Sequence, residues 1–205
     1  MPTIELAALL DLDRRAVQAS VAAAGDLSDA DLDKPTPCGD WTLADLVAHM
    51  TVQQRGFAAA ARGRGADPDL WASRRQAADG PGTSTAYAAI SADLLGAFAD
   101  PQLGDTGFLL PEIRDGGPFP AHVAVGFHLV DNVVHAWDVA VSRVRHVELH
   151  ADVLAASLAI AEQVPDGPER DQPHAAFSHR RPAACDTPPL ERILLLLGRS
   201  PTWPG

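Results

Sequence analysis

The chain has 205 residues, enough for one domain with a substantial core, or one domain with an appendage. Its net charge of −11 excludes a nucleic-acid binder that works by neutralising phosphates over a broad surface, and no membrane partner is expected either, since no run approaches the roughly 18 apolar residues of a span. Two cysteines exclude a disulfide scaffold, and Met1-Pro2-Thr3-Ile4-Glu5 lacks the basic start of a signal peptide, so a cytoplasmic setting is expected.

An Ala- and Leu-rich chain with a single Tyr favours packed helices over sheet. The first helix is expected from about Ile4 to Ala24, with Leu6, Leu9, Leu10, Ala16, Val17 and Val21 as its apolar stripe and Gly25 as its stop. A turn-rich stretch from Asp26 to Asp40 follows, punctuated by Pro35-Thr36-Pro37-Cys38-Gly39-Asp40. Thr42 then caps a second helix, with Asp45 in its acidic first turn, running to about Arg62. Leu43, Leu46, Val47 and Met50 form its inner stripe, and His49 lies on that same face.

Residues 63–83 read as irregular, with Leu70-Trp71 able to dock on the core. A third helix spans about Ser84 to Ala99 through Tyr87, Ile90, Leu94, Leu95 and Phe98. Pro101 to Gly117 reads as a loop over the bundle end. Pro120 suits the first turn of a fourth helix, Ala121 to about Val144. A further helix, His150 to Val164, packs through Val153, Leu154, Leu158 and Ala161, and Leu190 to Leu197 makes a short terminal helix ending at Gly198. The expectation is an all-α four-helix bundle with accessory short helices, a single domain over 1–205 in which 165–205 is a connector plus the terminal helix.

The fourth helix carries polar, metal-competent side chains where a core helix should carry aliphatics. At 100° per residue, His128, Asp131, His135 and Asp138 share a narrow arc. Asp131 and His135 are four apart, so their side chains sit one turn above the other and can grip a single ion. Burying such groups without partners is costly, so they should share protons, hydrogen bonds or a metal.

The segments Thr36-Pro37-Cys38-Gly39-Asp40-Trp41-Thr42-Leu43-Ala44-Asp45-Leu46-Val47-Ala48-His49 and Asp131-Asn132-Val133-Val134-His135-Ala136-Trp137-Asp138-Val139-Ala140 resemble the metal-binding domain of mycothiol-dependent maleylpyruvate isomerase, within the wider DinB-like superfamily of metal-binding bundles. The stretch Leu190-Glu191-Arg192-Ile193-Leu194-Leu195-Leu196-Leu197-Gly198-Arg199-Ser200-Pro201 resembles the end of an actinobacterial subgroup of that family. Carried over by position, the resemblance implies that His49, Asp131 and His135 ligate one divalent metal. Its pattern more often has Glu where this chain has Asp131, one methylene shorter. The small C-terminal domain of that isomerase is expected to be absent or reduced to the terminal helix.

Two imidazoles and one carboxylate leave coordination positions open, as a catalytic site requires. The ligand types fit zinc, nickel or iron. The resemblance implies an enzyme using a low-molecular-weight thiol, mycothiol, in isomerisation or S-transfer on a small-molecule electrophile, since a metal-held thiolate is a usable nucleophile. A hydrolase or lyase that activates water, and a non-catalytic metal-binding module, are the alternatives. Homodimer formation is left open.

Taken alone, His49 reads more readily as a core histidine bonded to a carbonyl than as a ligand. His128 is the candidate catalytic residue, as a base or as a group orienting Asp131, against a plain hydrogen-bonded core role. Asp138 reads as an acceptor for an Arg or for the His135 ring rather than as a ligand. Trp41 and Trp137 read as packing residues, Cys38 as a buried thiol, and His122, His146, His150, His174 and His179 as solvated.

Overall fold

The computed structural model describes residues 4–71, 83–113, 116–172 and 175–204. Within them lie α1 (Leu6–Ala23), α2 (Asp29–Leu32), α3 (Leu43–Ala61), α4 (Thr83–Phe98), α5 (Ala121–Ser142), α6 (Ala151–Ala161) and α7 (Pro189–Leu196). The fold is all-α and DinB-like. Among the described residues one ladder pairs β1 (Gly107–Phe108) antiparallel with β2 (Phe119–Pro120), Gly107 opposite Pro120. α1 packs on α5 and α3 on α4, while α3 also meets α5 and α1 also meets α4, so the four long helices close a ring. α6 and α7 pack onto one another beside α5. No helix among the described residues is long and apolar enough to cross a membrane.

Local chemistry sets the helix that carries His49. Thr42 caps α3: its hydroxyl accepts from the Asp45 N–H at 3.2 Å, and Asp45 Oδ2 accepts from the Thr42 N–H at 3.1 Å. Leu43, Leu46 and Val47 are fully buried behind that cap, and burying each contributes about 1.5–3 kcal/mol. Cap and stripe together fix the rotation of α3, and therefore the direction of His49.

Three expectations are corrected in detail. The stretch after α1 is not all turn: Ser28 and Asp31 form a capping box around the single-turn α2, with Asp31 Oδ2 3.1 Å from the Ser28 N–H. Pro120 is not inside the first turn of α5 but just before it, at φ −57° and ψ 146°. The loop from Pro101 carries a 3₁₀ turn, Leu103–Asp105, and then β1. Trp71 docks as expected: its indole donates to the Gly65 carbonyl at 2.8 Å, and its ring lies so close to Gly56 that a Cβ there would stand 2.5 Å from it. Residues 72–82 of the stretch expected to be irregular, and His174, lie outside the described residues.

Candidate metal centre

α3 and α5 meet where His49 faces Asp131 and His135. His135 Nε2 stands 3.3 Å from Asp131 Oδ1, and the two imidazole rings lie edge to face at 5.3 Å between centroids. One donor atom from each of His49, Asp131 and His135 lies within 4.8 Å of the others, close enough to converge on one ion. His135 is buried, whereas His49 and Asp131 are partly exposed, so the cluster opens to solvent on one side. Trp41 stands on that side, 39% exposed and 5.0 Å from His49 between ring centroids.

The far side of His135 is closed. Its Nδ1 hydrogen-bonds Asp138 Oδ2 at 2.9 Å, which leaves Nε2 turned toward Asp131. Asp138 is fully buried and takes four further contacts: Arg199 Nε to Oδ1 at 3.0 Å and to Oδ2 at 3.2 Å, Arg199 Nη2 to Oδ2 at 2.9 Å, and Cys38 Sγ to Oδ2 at 3.3 Å. Asp138 is thus the acceptor for both an Arg and the His135 ring. Cys38 is half-buried rather than fully buried. Cys38, His135 and Asp138 form a second convergent donor group. There the Arg199 guanidinium already neutralises the carboxylate, and a cation would have to stand against it. The chemistry of the donors therefore favours His49, Asp131 and His135 as the cation site.

Electrostatics sort the three donors. Burial, with the neighbouring His135, lowers the His49 pKa to about 4, so its ring is neutral and offers a lone pair at pH 7. Desolvation pushes the Asp131 carboxyl up, but the His135 ring outweighs it and holds the group below the usual carboxylate range. Burial pushes His135 down, yet Asp131 and then Asp138 overcome this and raise it well above its ordinary value. Asp138 is likewise raised by burial and lowered further by Arg199 and His135, ending below its ordinary value. His135 is accordingly the protonated partner of two carboxylates, with a proton that a metal would displace.

His128 sits elsewhere. It is fully buried, with Nδ1 2.7 Å from Asp13 Oδ1 of α1 and Nε2 2.8 Å from Gln54 Oε1 of α3. Helical periodicity puts it on the same face as His135, but at 1.5 Å rise per residue the two are about 10 Å apart along the axis. Both ring nitrogens are taken, so this placement does not offer the role beside the ion expected for His128. It belongs to a polar network in the bundle interior. Gln54 donates to Asn132 Oδ1 at 2.9 Å and to the Tyr87 hydroxyl at 3.1 Å, Ser20 donates to Asn132 at 3.0 Å, and Ser20 and Tyr87 share a hydrogen bond at 2.7 Å. The network joins α1, α3, α4 and α5.

Sequence reasoning missed Asp13, Ser20, Gln54, Asn132 and Arg199. A carboxylate between Leu12 and Ala16 on the apolar stripe of α1 was a usable signal for Asp13; nothing local marks Arg199. His122, His146, His150 and His179 are exposed, His179 between Asp166 and Asp171 at 3.0 and 2.9 Å. Trp137 is buried.

The family model of the mycothiol maleylpyruvate isomerase N-terminal domain matches residues 14–140. The chain belongs to that family. The matched span holds all three donors and Asp138, while Asp13 stands just before it and Arg199 far beyond it. Two uncharacterized proteins of Mycobacterium tuberculosis, one from strain H37Rv and one from strain CDC 1551, are each 29% identical to the chain over 190 residues, covering 91% of this chain and 95% of theirs. No solved structure matches the chain significantly.

Proposed function

We propose that the chain is a metal-dependent enzyme that uses a low-molecular-weight thiol, mycothiol, in isomerisation or S-transfer on a small electrophile. The observation that carries this reading is a set of three protein donors among the described residues, open on one side, with one histidine pre-oriented by a buried carboxylate. Structural metal sites close all positions with protein, whereas three donors leave room for a ligand. The donor set of two imidazoles and a carboxylate suits zinc, nickel or iron. Family membership supports the choice of thiol.

When bound, the ion supplies Lewis acidity that ionises a coordinated thiol near neutral pH. The chain's own groups do the rest. His49 presents a neutral ring, Asp131 supplies the negative charge, and His135 yields its proton and offers Nε2 while Asp138 holds Nδ1. Trp41 walls the open side. His128 enters this reading as a brace between α1, α3 and α5, not as the acceptor of the thiol proton.

Protein purified without chelator or a nickel column is expected to carry about one equivalent of divalent metal, and the His49→Ala, His135→Ala double variant to lose it. Metal far below one equivalent, unchanged by the double substitution, would overturn the assignment. On the cobalt-loaded protein, mycothiol is expected to produce a thiolate-to-cobalt charge-transfer band. Turnover without any thiol, and no such band, would instead assign the site to activation of water.

A further inference from the structure

α7 ends in a turn that turns the chain back toward the metal centre. The Gly198 N–H bonds the Leu195 carbonyl at 3.1 Å and the Arg199 N–H bonds the Leu194 carbonyl at 2.9 Å, the paired bonds of a Schellman cap. Gly198 has φ +82°, and a Cβ there would meet Ser178 Cβ and its carbonyl oxygen at 2.6 Å. Only glycine fits. Two further arginines pin this turn through backbone carbonyls: Arg170 donates to Ser178 O at 2.6 Å and Leu196 O at 2.9 Å, and Arg181 Nε donates to Gly198 O at 2.8 Å.

The product of this construction is the position of one side chain. Arg199 is about nine-tenths buried and grips Asp138, 61 residues earlier, through Nε and Nη2. A buried carboxylate that must accept from His135 Nδ1 is costly to keep charged without such a partner. The planar guanidinium also fixes the rotation of the carboxylate, because two of its donors reach both oxygens.

We propose that Arg199 is a positioning residue for the metal centre: its fork holds the Asp138 carboxylate in one orientation, which in turn sets the angle of His135. The proposal rests on the metal-site reading above. It assigns to the Gly198-Arg199 pair a role that lies outside the family-matched span, 14–140. Arg199 Nη2 also stands 3.8 Å from Cys38 Sγ, so the same guanidinium covers the thiol that shares Asp138.

The test compares Arg199→Met, Arg199→Lys and Asp138→Asn in the full chain. Zinc or cobalt affinity is expected to fall about 10–100-fold in Arg199→Met, the usual cost of losing a group that orients a ligand, with a changed cobalt ligand-field spectrum. Arg199→Lys should recover part of the affinity, since a point charge neutralises Asp138 but lacks the fork. Adding Arg199→Met to Asp138→Asn should weaken binding no further, because one acts through the other. Unchanged affinity and spectrum in Arg199→Met, with only a lower melting temperature, would overturn the proposal. If the wild-type protein binds no metal, the reading above fails, and the ring-nitrogen NMR shifts of His135 in the metal-free protein decide this proposal separately. Shifts that move in Arg199→Met support it; shifts that stay in place overturn it.

Discussion

One heptad separates His128 from His135 on the same face of α5, and the two have opposite surroundings. Around His128 the ring is fully buried and both nitrogens meet protein acceptors on other helices. Around His135 one nitrogen is anchored by Asp138, while the other looks across a partly exposed gap at Asp131 and His49. A histidine whose hydrogen-bonding capacity is spent within the protein braces the fold. One that keeps a nitrogen pointed at further donors, beside solvent, is available to a ligand.

The sharpest way to break this comparison is His128→Ala. Removing the ring leaves Asp13 and Gln54 facing a buried void, and a broken buried pair of this kind costs about 3–5 kcal/mol. Denaturant unfolding should show that loss, while metal content per folded molecule stays unchanged. A folded His128→Ala protein that had lost its metal would place both histidines in one functional unit.

The next effect is on pH. His135 has a raised pKa in the metal-free protein, so a metal must displace its proton, while His49 near 4 is already neutral. Apparent metal affinity should therefore rise by up to about tenfold per pH unit between pH 5 and 7. The stability that protonated His135 lends the metal-free protein is present below the unfolded pKa of about 6.5 and is lost as pH rises through the higher folded value. Metal-free melting temperature should fall across that window and metal-loaded melting temperature should not. A pH-independent affinity would show that His135 carries no proton for the ion to displace.

The smallest effect is expected at Tyr87→Phe. The buried hydroxyl meets Ser20 and Gln54, each of which keeps a bond to Asn132, so about 1 kcal/mol should be lost. Thermal unfolding measures it. A change in metal affinity at Tyr87→Phe would mean that the interior network reaches the ion after all.

Much of this was legible in the residues. The long helices, the Thr42 cap with Asp45, and the convergence of His49 with Asp131 and His135 follow from periodicity, capping chemistry and family resemblance. So does the role of Asp138 as an acceptor for an arginine and for the His135 ring. What periodicity could not give is the identity of partners on other helices. It puts His128 and His135 on one face, two turns apart, but says nothing of the Asp13 and Gln54 side chains that meet His128 from other helices. Gln54, Asn132 and Ser20 are unremarked polar residues in one dimension, and they become a network only when four helices meet. Arg199 was hidden for a different reason: its partner lies 61 residues away, across a turn that depends on the left-handed φ of Gly198.

That distance gives the centre an order of completion. Synthesis runs from the N-terminus, so His49, Asp131 and His135 all leave the ribosome well before Arg199 is added to the chain. A nascent bundle already holding its three donors would still carry a loosely held His135, and would exchange any captured ion readily. On the proposed metal-site reading, closure of the turn after α7 would then act as a latch. If the proposed site holds an ion, its retention would report on the last step of folding rather than the first.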